Sequence, residues 1–380
     1  SLYPDADLAM PTGVSPYFPG VTVIVLMVKN IVPNNLLIYS MHIIAVLVLL
    51  SFFMVQRRIT YSISKDVNID NFYIGAIVFT LIFCKQYLLY AVEFKADTIA
   101  FLLGSLGIII AKADNNTSIK VTPYVLGACL TGCALIFKQQ HIAFLVGMII
   151  YSLVSKNSKF QIFTALSIMF SFLILYIFYK QENFLFWTVT YFSDDGFMSI
   201  KQWVLSQAKL IVLITKSIIV LWGAHLYGYV KIDLFASFIS LKHLLMTPWP
   251  VLIFLSALAA FVSSWKLGGN TGNTELGLVL LFPLIYFAIQ KLDKKLLMLI
   301  AWVAFLGLAP YIHVSVLNIQ NSTALNQAAS SLALDSNTKV LTGSDVYGAA
   351  RLVKTLNPIH DLWTIREITK DEGILSSILT

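Results

Sequence analysis

The chain has 380 residues, of which 58% are hydrophobic and only 12% charged, against roughly 45–50% and 25% in soluble globular proteins. So few charges cannot cover the core that a water-soluble fold of this size builds, which excludes a pair of soluble domains and predicts an integral membrane protein. The net charge of +7 and the pI near 9.1 then read as a topology signal, with no nucleic-acid partner implied.

In chain order, residues 1–35 read as an outer loop ending in a helix over 20–33 that lies in the interface, with Lys29 among apolar neighbours. Residues 36–318 form the membrane domain. A spanning helix needs about 20 largely apolar residues, and that measure predicts ten spans, at 36–55, 72–92, 96–112, 122–137, 141–155, 161–179, 205–228, 249–265, 275–291 and 295–314. The fourth and fifth are short, so Gln139–Gln140–His141 between them leaves room only for a tight turn. Residues 231–247 read as a second interfacial segment. Cys84, Cys129 and Cys133 all fall in apolar runs and make no disulfide framework. Cys129 and Cys133, four apart on one helix face, read as small packing residues, with a metal or redox role as the sharper alternative.

Residues 319–380 differ in kind. Thr323–Leu334 reads as a helix, Lys339–Leu341 as a strand, Asp345–Leu356 as a helix capped by Asp345, and Trp363–Ile365 as a second short strand. The expected fold class is therefore mainly α: a polytopic transmembrane helical bundle with a small α/β extracytoplasmic C-terminal module. A start at Ser1 and an unfinished module at Thr380 predict a piece of a longer chain with eleven or more spans.

Alternation of the spans sorts the loops by charge. Loops 56–71, 112–121, 156–160, 229–248 and 291–295 carry twelve Lys or Arg against five carboxylates, whereas the N-terminal stretch and loops 85–97, 138–141, 180–204 and 266–275 carry seven bases against eight acids. Basic loops mark the cytoplasm. The acidic set, and the tail with it, is expected outside.

Polar residues near a bilayer are costly, so their clustering is informative. The outer set gathers Asp5 and Asp7, the run Glu93–Phe94–Lys95–Ala96–Asp97, Lys138–Gln139–Gln140–His141, Asp194–Asp195, and Gly268 to Glu275. Taken singly, Lys95 and Asp97 read equally well as helix caps, and Glu275 as a carboxylate placed by the helix dipole. Their convergence favours a site on that face. Lys209 and Lys216, seven apart on the predicted seventh span, are either partners of an anionic lipid head or phosphate, or paired with an internal carboxylate or carbonyl.

Leu2–Tyr3–Pro4–Asp5 followed by Pro16–Tyr17–Phe18–Pro19–Gly20 resembles the first outer loop of GT-C glycosyltransferases of the protein O-mannosyltransferase and aminoarabinose-transferase kind. Phe94–Lys95–Ala96–Asp97 is similar to the basic-x-Asp that opens a later span in that family, and Phe137–Lys138–Gln139–Gln140 to its Lys-Gln pair between short helices. Gly268 to Glu275 resembles the Gly-x-Asn-x-Asn-x-x-Glu loop, with Thr274 where an aromatic or His is usual and the spacing altered. Val340–Leu341–Thr342–Gly343–Ser344–Asp345 resembles the strand–turn–helix of the soluble tail.

The resemblance implies transfer, with inversion, of a sugar from a polyprenyl-phosphate donor to a glycan, lipid or protein hydroxyl outside the cytoplasmic membrane. It implies an acid among Asp5, Asp7 and Asp97, and substrate contacts from Lys95, Lys138, Gln139, Gln140, Asn273 and Glu275. The family's principal acid follows a first span upstream of the Leu-Tyr element, so it is expected before Ser1. Metal dependence varies among relatives, and no ligand spacing here predicts a metal, although a divalent cation stays open. The rival reading is a transporter or flippase of an anionic or lipid-linked substrate. Its site is expected near the midplane with an internal repeat, whereas the polar residues here crowd one interface.

Overall fold

The structure is a computed structural model that describes residues 20–33, 36–63, 69–84, 87–88, 96–113, 121–155, 157–180, 197–208, 210–212, 214–215, 247–265 and 271–289. About 90% of these residues are helical and none forms a strand, a mainly-α fold. The helices among them are α1 (Gly20–Ile31), α2 (Leu37–Ile63), α3 (Ile69–Phe83), α4 (Ala96–Ala111), α5 (Val121–Cys133, continued by a 3-10 turn Ala134–Ile136), α6 (His141–Ser155), α7 (Ser158–Tyr179), α8 (Ile200–Ser206), α9 (Trp249–Trp265) and α10 (Thr271–Ile289). The expected seventh span is described only in part, and the tenth span and the α/β tail lie outside the described residues.

Among the described residues two helical segments, Ser40–Ile63 and Ser158–Tyr179, are long and apolar enough to cross a membrane. The other apolar helices are shorter. The boundaries differ from the sequence expectation in two informative places. α2 continues eight residues past the expected end at 55, because Val55, Gln56, Ile59 and Thr60 keep packing inward. Arg57 and Arg58, expected in a loop, therefore ride on the helix and lie over the rings of Tyr73 and Tyr61 at 5.6 and 6.0 Å. α3 ends at Phe83, although Cys84 N still donates to Thr80 O and Leu88 N to Cys84 O, and residues 85–86 and 89–92 of the expected span lie outside the described residues.

Packing centres on α2, which touches α1, α3, α4, α9 and α10. On one side α4 lies against α5, and α5 against α7. On the other side α9 pairs with α10, α6 bears on α9, and α10 reaches back to α3. Close approach requires glycine at two seams. A Cβ on Gly107 would fall on Thr131 Oγ1 and the Gly127 carbonyl, and a Cβ on Gly132 would meet Phe170 Cβ and Ser167 O at 2.7 and 2.8 Å. Small residues let helix backbones approach in this way where the surroundings are as apolar as the side chains.

Many large apolar side chains of the described helices face outward. On α7 the buried positions are Phe160, Phe163, Thr164, Ser167 and Ser171, while Met169, Phe172, Leu173 and Ile177 face outward. The inward hydroxyls are satisfied locally, Thr164 on Phe160 O and Ser167 on Phe163 O at 2.8 and 2.9 Å. α7 is capped by Asn157, whose side chain accepts from Lys159 N and Phe160 N. α10 contains Pro283, which has no N–H for the carbonyl four residues back, Val279 O. Gln56 Nε2 from α2 donates to that carbonyl at 2.7 Å.

Candidate functional site

Several of the polar residues singled out in the sequence lie near one another. α4 begins there with Ala96 and Asp97. The turn at residues 137–140 leads into α6, with the carbonyls of Lys138, Gln139 and Gln140 accepting from the N–H groups of His141, Ile142 and Ala143. That is the tight turn the sequence requires, and it satisfies the free N-terminal donors of α6. The C-terminal end of α9 and the start of α10 complete the ring.

Lys138 Nζ lies 3.6 Å from Asp97 Oδ2, with the lysine side chain 15% and the aspartate side chain 6% exposed. A pair this deep carries a desolvation cost that a surface pair escapes. Asp97 sits in the first turn of α4, where the helix dipole favours a carboxylate. Gln140 donates through Nε2 to Ser263 Oγ on α9, and Asn273 Nδ2 on α10 donates to the same hydroxyl at 3.3 Å.

Glu275 is reached from another direction. α10 starts at Thr271, so Glu275 is the fifth residue of the helix rather than the last of a loop. Its Oε2 accepts from the backbone N–H of Tyr87 at 2.7 Å, across 188 residues of sequence. A specific partner thus holds this carboxylate, beyond the dipole of its own helix. Tyr87 is fully buried, and its hydroxyl pairs with Thr98 Oγ1 at 2.9 Å, one residue from Asp97. Tyr87 thus bonds Glu275 through its backbone and the neighbour of Asp97 through its hydroxyl.

Beside the ion pair is a partly open cavity of about 30 Å³. Asp97, Lys138, Gln140 and Ser256 supply its polar wall, and Phe101, Phe144, Leu276 and Leu280 are among its apolar lining. His141 stacks on Phe144 with ring centroids 4.9 Å apart and places Nε2 3.0 Å from Thr131 O. Asp97 Oδ1, Gln140 Oε1, Ser256 Oγ and Thr274 Oγ1 are buried without a hydrogen-bond partner among the described residues. Buried polar atoms are rarely left so; Gln56 Oε1, Ser105 Oγ, Gln207 Oε1 and Thr247 Oγ1, away from the cavity, share the condition among the described residues.

Of the residues singled out in the sequence, the structure brings together Asp97, Lys138, Gln139, Gln140, Asn273 and Glu275. Asp5, Asp7, Lys95, Lys209 and Lys216 lie outside the described residues. Tyr87, Thr98, Ser256 and Ser263 belong to the site and carried no motif. The one available signal was the seven-residue spacing of Ser256 and Ser263, which puts them on one face of α9 with Ala260 between. Cys129 and Cys133 lie elsewhere, with their sulfurs 3.8 Å apart. Among the described residues no three His, Cys, Asp or Glu side chains are grouped to hold a metal ion.

Comparison with family models, with curated proteins and with solved structures finds no match to this chain.

Proposed function

We propose that the chain is a multi-pass membrane glycosyltransferase of the inner (cytoplasmic) membrane. It moves a sugar from a polyprenyl-phosphate donor to an acceptor hydroxyl, with the site and tail on the extracytoplasmic face. The observation that supports this reading is the buried Asp97–Lys138 pair beside a partly open cavity that Gln140 and Ser256 also line. A lipid-linked substrate suits the helix lengths. α4 and α6 have 16 and 15 residues, hence run about 24 and 22 Å. Both are shorter than the ~30 Å hydrocarbon core, which supports a site within reach of a lipid-linked phosphate.

The chemistry is a single displacement. A carboxylate takes the proton of the acceptor hydroxyl, the oxygen attacks the anomeric carbon from the face opposite the lipid phosphate, and the carbon–oxygen bond to that phosphate breaks with inversion. The departing lipid phosphate carries the electron pair and is stabilised by cations and amides outside the Asp97–Lys138 pair, for which Lys95, Gln139 and Asn273 are the candidates, while Lys138 holds Asp97. Asp5, Asp7 and Asp97 are the candidate acids. Glu275, bonded to Tyr87, is a positioning residue that fixes the start of α10 against the end of α3. Lys209 and Lys216 are candidates for the lipid phosphate path.

The reading is tested with the full-length chain in proteoliposomes supplied with a polyprenyl-phosphate sugar. Transfer is expected, and Asp97→Asn is expected to lower it by about 10²–10⁴-fold. Unchanged turnover removes Asp97 from the site. Counterflow of solute without transfer replaces the reading by a transporter.

A further inference from the structure

The cavity beside the Asp97–Lys138 pair has a wall of one chemical kind. Three of its oxygens, Asp97 Oδ1, Gln140 Oε1 and Ser256 Oγ, are buried and have no hydrogen-bond partner among the described residues. The carboxylate and the amide oxygen only accept, and the hydroxyl donates or accepts. The nearest cation on that wall, Lys138 Nζ, is 3.6 Å from Asp97 Oδ2 and is neutralised by it. The wall therefore offers acceptors without a net positive charge. It suits neutral hydrogen-bond donors and disfavours the oxygens of a phosphate.

Shape narrows the choice. A volume of about 30 Å³ admits two groups of the size of water, each needing roughly 10–15 Å³. The apolar wall holds Phe101 and Phe144, edge to face at 5.7 Å. A sugar ring has the matching halves, an edge of hydroxyls and a face of C–H bonds. We infer that this cavity receives two neighbouring hydroxyl groups of a neutral sugar ring, with Asp97 Oδ1, Gln140 Oε1 and Ser256 Oγ as their partners and the ring's C–H face on Phe101 and Phe144. Ser256, in the middle of α9, becomes a specificity-determining residue. The phosphate of the donor binds elsewhere. The identification of this sugar as the transferred one rests on the glycosyltransferase reading; the chemistry of the cavity does not.

The test is thermal unfolding of the purified full chain in detergent, titrated separately with free hexoses and pentoses, their single-deoxy analogues, and inorganic phosphate. At least one sugar is expected to raise Tm saturably, and a deoxy analogue lacking one of the two hydroxyls to raise it less. Ser256→Ala is expected to weaken the sugar's apparent Kd about tenfold, the worth of one hydrogen bond, and Gln140→Leu reads the same contact from the other side should the serine variant fold poorly. Phosphate is expected to give no saturable shift. A phosphate shift that Ser256→Ala removes overturns the inference in favour of an anion site. Absence of any sugar shift in the unsubstituted chain, or a shift that neither variant changes, overturns it in favour of a cavity holding ordered water only. Turnover separates this from the reading above. Sugar stabilisation without transfer leaves the cavity assignment standing and removes the glycosyltransferase. Transfer whose donor KM is untouched by Ser256→Ala does the reverse.

Discussion

Replacing Lys138 by methionine while Asp97 stays in place leaves a carboxylate with 6% of its side chain exposed and no cation within the described ion pair. Breaking a buried pair from one side costs about 3–5 kcal/mol, much of it the desolvation of the abandoned partner. Lys138→Met is therefore expected to lower the unfolding free energy in detergent by about that much, and Asp97→Asn combined with it to recover most of the loss. Equal stability of single and double variants would mean that the pair is solvated and that the cavity is open to water. The polar residues of this site were legible in the sequence for one reason: a lysine, a glutamine pair and a glutamate stand out in a chain with 12% charge. Tyr87, Ser256 and Ser263 were not, because a tyrosine or a serine costs little in an apolar helix and announces no partner. Their roles come from contacts made across 188 residues for Tyr87 with Glu275, and 123 for Ser263 with Gln140. The helix dipole was enough to account for Glu275 in the sequence, and the structure adds a bond from the backbone N–H of Tyr87.

At the scale of the helix, α2 and α10 are joined by a compensation that neither sequence reveals alone. Pro283 removes the donor that Val279 O would have inside α10, and Gln56 Nε2 from α2 replaces it. Gln56→Leu leaves that carbonyl bare in the interior, at a cost of about 1–3 kcal/mol. In a Pro283→Ala background the alanine N–H closes the helix bond, and the same substitution is expected to cost less by about 0.5 kcal/mol or more. A double-mutant cycle on unfolding in detergent measures the difference, and strict additivity would show that the two residues do not compensate each other. Most described helices were legible at this scale, α4, α6 and α9 nearly to the residue, because long apolar runs end abruptly at polar ones. The end of α2 was not. Its arginines look like loop in a hydropathy pattern, whereas the inward residues Gln56, Ile59 and Thr60 keep the helix going.

At the scale of the molecule, the outward face is the decisive property. Met169, near the centre of α7, is 53% exposed, and Leu153, Phe172 and Leu173 are exposed beside hydroxyls that point inward. In a bilayer the central position tolerates an arginine only at a cost of about 2.5–3.5 kcal/mol by insertion scales. Met169→Arg is thus expected to reduce the fraction of chain retained in the membrane after a carbonate wash, while Ser167→Ala, on the inward face, leaves retention unchanged. Release of the unsubstituted chain into the soluble fraction would overturn membrane embedding altogether. Composition had already made this surface legible in outline, but which face of each helix is apolar was not readable: α7 is apolar nearly all round, and only its serines and threonines, set by the seams at Gly132 and its neighbours, show which side faces in.

The bonds from Tyr87 to Glu275 and from Gln56 to Val279 also have a meaning in time. They join residues 188 and 223 positions apart, and a ribosome adding about 5–20 residues per second delivers the second partner roughly 10–40 s after the first. Throughout that interval the early helices carry a glutamine amide and a tyrosine N–H whose acceptors have not been synthesised. The first half of the chain must keep those groups turned to a temporary partner until α10 arrives to close both bonds.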